Sequence, residues 1–314
     1  AAGFRDSVLR ATRLALDSAE EREKALLRCG PAAPNAAPQG ACAVTMRYLY
    51  QVARGRTPEE VFAQILAGFE TAAADARVVG LNLVQPEDGY VAMRDYALQM
   101  RMIAFLRPLY PAVRVSLHAG ELAPGLVQPE GLRDHIRQAV EVAGAARIGH
   151  GVDVMEEARP AELLREMAAR NVLVEICLTS NDVILGVSGR AHPLHEYLDA
   201  GVPVALATDD QGVARSNMTG EYEKAVLEQG LGYEQLKAMA RTGLEHAFIG
   251  GASLWRDARR FETVAACVGD VASAGCRAFL DRNPRARLEW QLERAFDRFE
   301  SRYASLAPAA TVTP

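Results

Sequence analysis

Several things are scarce in this sequence, and each shortage removes a class of function. No apolar run approaches the ~18 residues a helix needs to cross a bilayer, so no membrane span is expected. Basic residues are not in excess: 35 Lys and Arg stand against 40 Asp and Glu, a net charge of −5, which argues against a nucleic-acid partner. Cysteine occurs five times and never as C-x-x-C, which excludes a zinc ribbon. No Gly-rich phosphate loop follows any candidate strand. No Met opens the chain and no signal-peptide pattern occupies Ala1-Ala2-Gly3-Phe4-Arg5, so the sequence reads as beginning inside a longer fold.

The five cysteines are themselves informative. Cys29 and Cys42 flank a Pro/Ala/Gly-rich loop, Cys267 and Cys276 flank a shorter one, and Cys177 lies in an apolar strand. Two local pairs would suit an oxidising compartment such as a periplasm. Unpaired thiols in a cytosolic enzyme are the alternative.

What is present is a chain of 314 residues, 49% hydrophobic and 24% charged, enough for one large α/β domain spanning 1–314, or for two small ones. Helical spacing marks 4–28, a stretch from Pro58 to about Ala74, one ending before Pro108, about Pro129 to Val142, and about Pro160 to Ala169. His135, beside Asp134 and Arg137, is expected on a solvated helix face. Between the helices lie apolar strands: Val44–Tyr50, Val78–Val84, Val115–His118, Arg147–His150, Val172–Leu178 and Gly201–Thr208. From Ser216 to about Ser301 the pattern is helical, with Trp255 and Trp290 as packing anchors, and 307–314 reads as a disordered tail.

Strand, polar loop and helix thus recur six times, and the strands are continuous apolar runs. Such strands belong to a parallel sheet buried on both faces. An open doubly wound sheet and a (β/α)₈ barrel both satisfy this. The chemistry-bearing residues favour the barrel: His118, Glu121, His150, Ser180, Asn181, Asp209 and Asp210 all follow strand ends, over four successive strands. A barrel gathers every such end at one mouth, whereas an open sheet converges only at its switch point.

Val115-Ser116-Leu117-His118-Ala119-Gly120-Glu121 is the centre of the pattern. Strand side chains alternate faces, so His118 and Glu121 can share a pocket only if the strand ends and Gly120 turns the chain. Imidazoles and carboxylates without C-x-x-C suggest a metal with N and O ligands, for which zinc fits best. Asp209-Asp210 adds two carboxylates that would repel unless one faces a cation.

His118-Ala119-Gly120-Glu121, Arg147-Ile148-Gly149-His150-Gly151, Glu175 through Asn181, His192-Pro193 and Thr208-Asp209-Asp210 occur in one order. Together, from about Thr45 to Trp255, they resemble the adenosine deaminase family of amidohydrolase-type zinc barrels. The resemblance implies a TIM-type barrel with C-terminal helices, and zinc-dependent hydrolytic deamination of adenosine or deoxyadenosine. It implies His118 and Asp209 as zinc ligands, Glu121 as the acid that protonates purine N1, and His150 as the histidine that steers the attacking hydroxide. Asp210 would accept a hydrogen bond from the purine, with Gly120 and Gln85 beside the substrate. The chemistry is consistent, because a ring carbon resists water until a metal acidifies the water and an acid protonates the ring.

Two departures qualify these expectations. The family takes two further ligands from a His-x-His on its first strand, and no such motif occurs here, the first histidine being His118. The strands present therefore read as three to eight of an incomplete barrel, and this chain alone is expected to hold zinc weakly and turn over poorly. Where the family places a glycine against the purine, this sequence has Val84-Gln85-Pro86, which leaves adenine and N6-substituted adenine derivatives open as substrates. No Lys or Arg cluster marks a 5′-phosphate site, so a purine nucleoside is the expected partner. A second amidohydrolase type, with a metal-bridging lysine, is disfavoured because Val78 to Gln85 contains no lysine. The remaining alternative is a catalytically inactive nucleoside-binding barrel. Nothing in the sequence fixes an oligomeric state.

Overall fold

The computed structural model describes residues 2–30, 40–268 and 273–304. Most of the proline-rich loop after Gly30 and the whole tail from Ala307 lie outside the described residues. Local signals set the early elements. Helix α1 (Ala2–Leu26) precedes strand β1 (Tyr48–Ala53) and helix α2 (Pro58–Ala74). Thr57 starts α2: its hydroxyl accepts from the Glu60 N–H while the Glu60 carboxylate accepts from the Thr57 N–H, with Pro58 supplying a preset φ.

The alternation continues with β2 (Val78–Val84), α3 (Tyr90–Leu106), β3 (Arg114–Ala119), α4 (His135–Glu141), β4 (Arg147–His150) and α5 (Pro160–Ala169). Then come β5 (Leu173–Ile176), α6 (Leu178–Leu185), α7 (Leu194–Asp199) and β6 (Val204–Leu206). The six strands pair in parallel and in chain order. Among the described residues β1 pairs only with β2, and β6 only with β5, so the sheet does not close. This is the incomplete (β/α)₈ barrel expected from the sequence.

Its core is continuous. Leu81, Leu83, Leu117, Ile148, Val174 and Ile176 of the strands pack with Ile65, Phe69, Met100, Ile103, Ile136 and Met167 of the helices, all fully buried. Burying one such side chain contributes roughly 1.5–3 kcal/mol, so the sheet–helix layers supply the main apolar stabilisation.

Helices α8 (Gln211–Ala214), α9 (Met218–Leu227) and α10 (Tyr233–Glu245) follow the last sheet strand. Beyond them the sequence reading needs correction. The 216–301 region is not helical throughout: β7 (Trp255–Asp257) and β8 (Glu262–Thr263) form an antiparallel pair before α11 (Ala274–Arg282) and α12 (Pro284–Tyr303). Trp255 meets Phe261 edge-on at 5.6 Å, within a second apolar cluster containing Leu254, Cys267, Cys276 and Leu280. Trp290 packs against this cluster, so both tryptophans are packing residues as expected.

Two smaller differences have local causes. Strand β1 begins at Tyr48 rather than Val44, because its ladder to β2 starts at the Tyr48–Val78 pair. The Pro129–Val142 helix is split into a 3₁₀ turn over Pro129–Leu132 and α4. Thr179, Ser180 and Asn181, which follow a strand end as expected, lie on α6, a helix that begins at Leu178 directly after β5 and Cys177.

Disulfides join Cys29 to Cys42 and Cys267 to Cys276, leaving Cys177 as a buried thiol. Burial pushes the Cys177 thiol well above its ordinary pKa, so it is poorly nucleophilic. Without reductant, alkylation is therefore expected to modify no cysteine in the native protein and one, Cys177, after denaturation. Mass spectrometry showing additional reactive thiols without reductant would contradict the pairing.

Candidate active site

The site begins where β3 stops. His118 is its penultimate residue, and its backbone N–H is fixed by the Asn82 side-chain oxygen at 2.9 Å. Gly120 then takes a φ of +77°, turning the chain as expected. A Cβ there would lie 2.7 Å from both the Asp153 carboxylate and the Ile136 side chain, so only glycine fits. The turn brings Glu121 back beneath the histidine, with its Oε2 2.7 Å from His118 Nε2.

The neighbouring strand supplies His150, whose ring centroid lies 4.4 Å from that of His118. Its Nδ1 is 3.5 Å from Glu121 Oε1, an oxygen that is buried and has no hydrogen-bond partner. One donor atom from each of His118, Glu121 and His150 lies within 4.8 Å of the others. Two imidazoles and a carboxylate around an unsatisfied oxygen form a possible metal-ligand cluster, of the N/O type that suits zinc. Burial, reinforced by His118, lowers the His150 pKa and favours the neutral imidazole that a metal or a proton transfer requires.

A cavity of about 400 Å³ opens beside the histidines, lined by Asn82, His118, His150, Glu175, Thr208 and Asp209, among others. Asp209 is held by Ser180, whose hydroxyl donates to its Oδ2 at 2.8 Å. It therefore shares the cavity with His118 but stands outside the tight three-residue cluster. Asp210 is exposed and precedes α8, and it does not line the cavity. Gln85 is exposed too, and its side-chain oxygen accepts the Gly55 N–H at 2.8 Å. Gly120 shapes the wall through its turn rather than lining the cavity itself.

The strongest support for the turn is a residue the sequence reading passed over. Glu87, in the loop after β2, is 1% exposed and accepts the N–H groups of Gly120 and Glu121, each at 3.0 Å. It also meets His135 Nδ1 at 2.6 Å. Burial raises the Glu87 pKa, but the His135 hydrogen bond and the Arg54, His135 and His118 charges outweigh it, holding the carboxyl at about 2. Arg54 is itself fully buried and donates to the Leu83 and His118 carbonyls. His135 is not on a solvated face as expected: it is 3% exposed and stacked on Tyr96 at 3.8 Å. The flanking Asp134 and Arg137 suggested solvent, but the helix turns its first residue inward to pair with Glu87. Glu87 itself sits in a polar turn beside Pro86 and Gly89, which gives no burial signal in sequence.

Residues 32–253 match the family model described as adenosine deaminase. The chain belongs to the adenosine deaminase family. Members of this family are hydrolases acting on C–N bonds. An adenosine deaminase of Aliivibrio fischeri is 39% identical over 138 residues, which cover 44% of this chain and 38% of that enzyme. The chain spans about half or less of the length of such curated relatives. Among solved structures, the N6-methyl-AMP deaminase of Arabidopsis thaliana superposes with a TM-score of 0.51 at 26% identity, covering 65% of this chain and 54% of that one. An amidohydrolase from Burkholderia ambifaria with bound Zn gives a TM-score of 0.52 at 17% identity, covering 80% and 60%, a likeness of fold alone.

Proposed function

We propose that this chain carries the catalytic face of a zinc-dependent deaminase that replaces the amino group of adenosine or deoxyadenosine with oxygen, releasing ammonia. The observation that carries this reading is the convergence of His118, Glu121 and His150 beside a cavity that also receives Asp209. Zinc would be held by His118 and Asp209 and would supply an acidified water when bound. Glu121, kept under His118 by the Gly120 turn, would give a proton to the purine ring as the ring carbon is attacked. His150, neutral and buried, would steer the attacking oxygen. Asp210 and Gln85 are assigned to the purine edge by motif position.

The cavity is within the range that takes a small ligand, and its lining contains no Lys or Arg, which favours a nucleoside over a nucleotide. N6-substituted adenine derivatives are the nearest alternative substrates, in view of the Arabidopsis enzyme. The two disulfides support an oxidising compartment.

With only His118 and Asp209 as ligands, fewer than the three usual for catalytic zinc, affinity and rate are expected to be low. The test follows adenosine by its ultraviolet absorbance with and without added zinc. A slow, zinc-dependent conversion that Glu121→Gln abolishes is the expected result. Thermal stabilisation by adenosine with no turnover at any zinc level would instead establish an inactive nucleoside-binding barrel.

A further inference from the structure

Behind His150 runs a chain of buried side chains that the deamination chemistry does not use. Asn181 of α6 is fully buried and His192, just before α7, is 1% exposed. The amide nitrogen of Asn181 lies 2.9 Å from His150 Nδ1, and its oxygen lies 3.1 Å from His192 Nε2. An amide offers donors at one end and an acceptor at the other, and a neutral imidazole has one of each. The chain can therefore run in only two directions. In one, His192 Nε2–H donates to Asn181 and Asn181 donates to His150 Nδ1. In the other the amide is reversed and His150 Nδ1–H is the first donor.

The far nitrogen of His192 separates the two. His192 Nδ1 is buried without a hydrogen-bond partner. The first direction leaves a bare lone pair there, whereas the second leaves a buried N–H with nothing to accept it. Orphaned buried donors are rarer in folded proteins than under-used acceptors. We infer that His192, acting through Asn181, holds His150 in the tautomer with its proton on Nε2, so that His192 and Asn181 are positioning residues for the site. Their functional meaning rests on the proposed role of His150, but the tautomer is a property of the folded chain.

The consequence for the site is specific. With Nδ1 engaged by Asn181, His150 is fixed as a ring with one defined donor, and it cannot exchange its proton with Glu121 Oε1 through Nδ1. A wrong tautomer would present a lone pair where a donor is needed, which is why histidines in working sites have their second nitrogen fixed by a partner.

The experiment is ¹⁵N nuclear magnetic resonance of histidine-labelled full chain at about pH 8, above the ordinary imidazole pKa of about 6.5. The His150 signals are assigned by their loss in His150→Gln. Expected is a pyrrole-type Nε2 and a pyridine-type Nδ1 for both His150 and His192. A pyrrole-type Nδ1 on either ring overturns the inference. In His192→Leu the amide loses its orienting donor, and His150 is expected to become a mixture of tautomers. His192→Gln, which keeps a donor for Asn181, is expected to restore the single form. An unchanged pure Nε2–H form in His192→Leu, with thermal unfolding showing a folded protein, would remove His192 from the positioning role. Failure of adenosine turnover leaves these readouts intact, so the two readings fail separately.

Discussion

Glu87→Ala is expected to destabilise the protein by about 3–5 kcal/mol, the range for breaking a buried charged pair by removing one partner. The native carboxylate satisfies the N–H groups of Gly120 and Glu121 and the His135 ring at once. Alanine would leave those donors buried and unpaired, and would leave the Arg54 guanidinium without its nearby anion. Glu87→Gln keeps one acceptor oxygen but aims an amide N–H at a donor, so an intermediate loss of about 1–3 kcal/mol is expected. Urea unfolding at neutral pH measures both. Because the lost bonds anchor the turn that carries Glu121, the proposed proton donor, deaminase activity should fall by about 10–100-fold in Glu87→Gln. A cost below about 1 kcal/mol for Glu87→Ala would mean that the Gly120 turn holds without this clamp.

The second large effect runs the other way: Asp153→Asn is expected to stabilise the protein above neutral pH. Asp153 is 2% exposed and both its carboxylate oxygens are buried without a partner. Burial, followed by the charges of Glu87 and Glu157, pushes its pKa up to about 9. The native state therefore keeps a proton that the unfolded chain releases near pH 3.8. Between those two values the folded protein binds more protons, so stability falls as pH rises from about 4 to about 9. Glu157, raised to about 7 mainly by burial, acts in the same direction over a narrower window. An amide cannot ionise, so Asp153→Asn removes most of the slope and should add about 1–3 kcal/mol near pH 8, after allowing for its own unpaired donors. Unfolding curves at pH 5 and pH 8 decide the matter. Equal pH dependence in the two proteins would show that Asp153 is ionised in the native state.

These two residues behave differently because the region around the Gly120 turn holds a limited supply of positive charge. Glu87 takes the Arg54 and His135 partners and stays ionised. Asp153, with no hydrogen-bond partner, stays protonated next to the same turn. Adding a charge at Asp153 would set two carboxylates against each other behind Glu121.

The order of strands and helices was legible in the sequence because it depends on local spacing. Continuous apolar runs such as Val78–Val84 can be buried on both faces only in a parallel sheet, and Thr57-Pro58-Glu59-Glu60 starts a helix by short-range hydrogen bonding. The Gly120 turn was legible too, since His118 and Glu121 could meet in no other way. Tertiary structure alone decided which carboxylate does what. Glu87, Asp153 and Asp210 are all acids in turns or bends outside the helices and strands, yet the first is a buried clamp, the second a buried acid that keeps its proton, and the third is exposed. Their charge states follow from partners far away in the chain, 33 residues between Glu87 and Gly120 and 48 between Glu87 and His135, which no local pattern records.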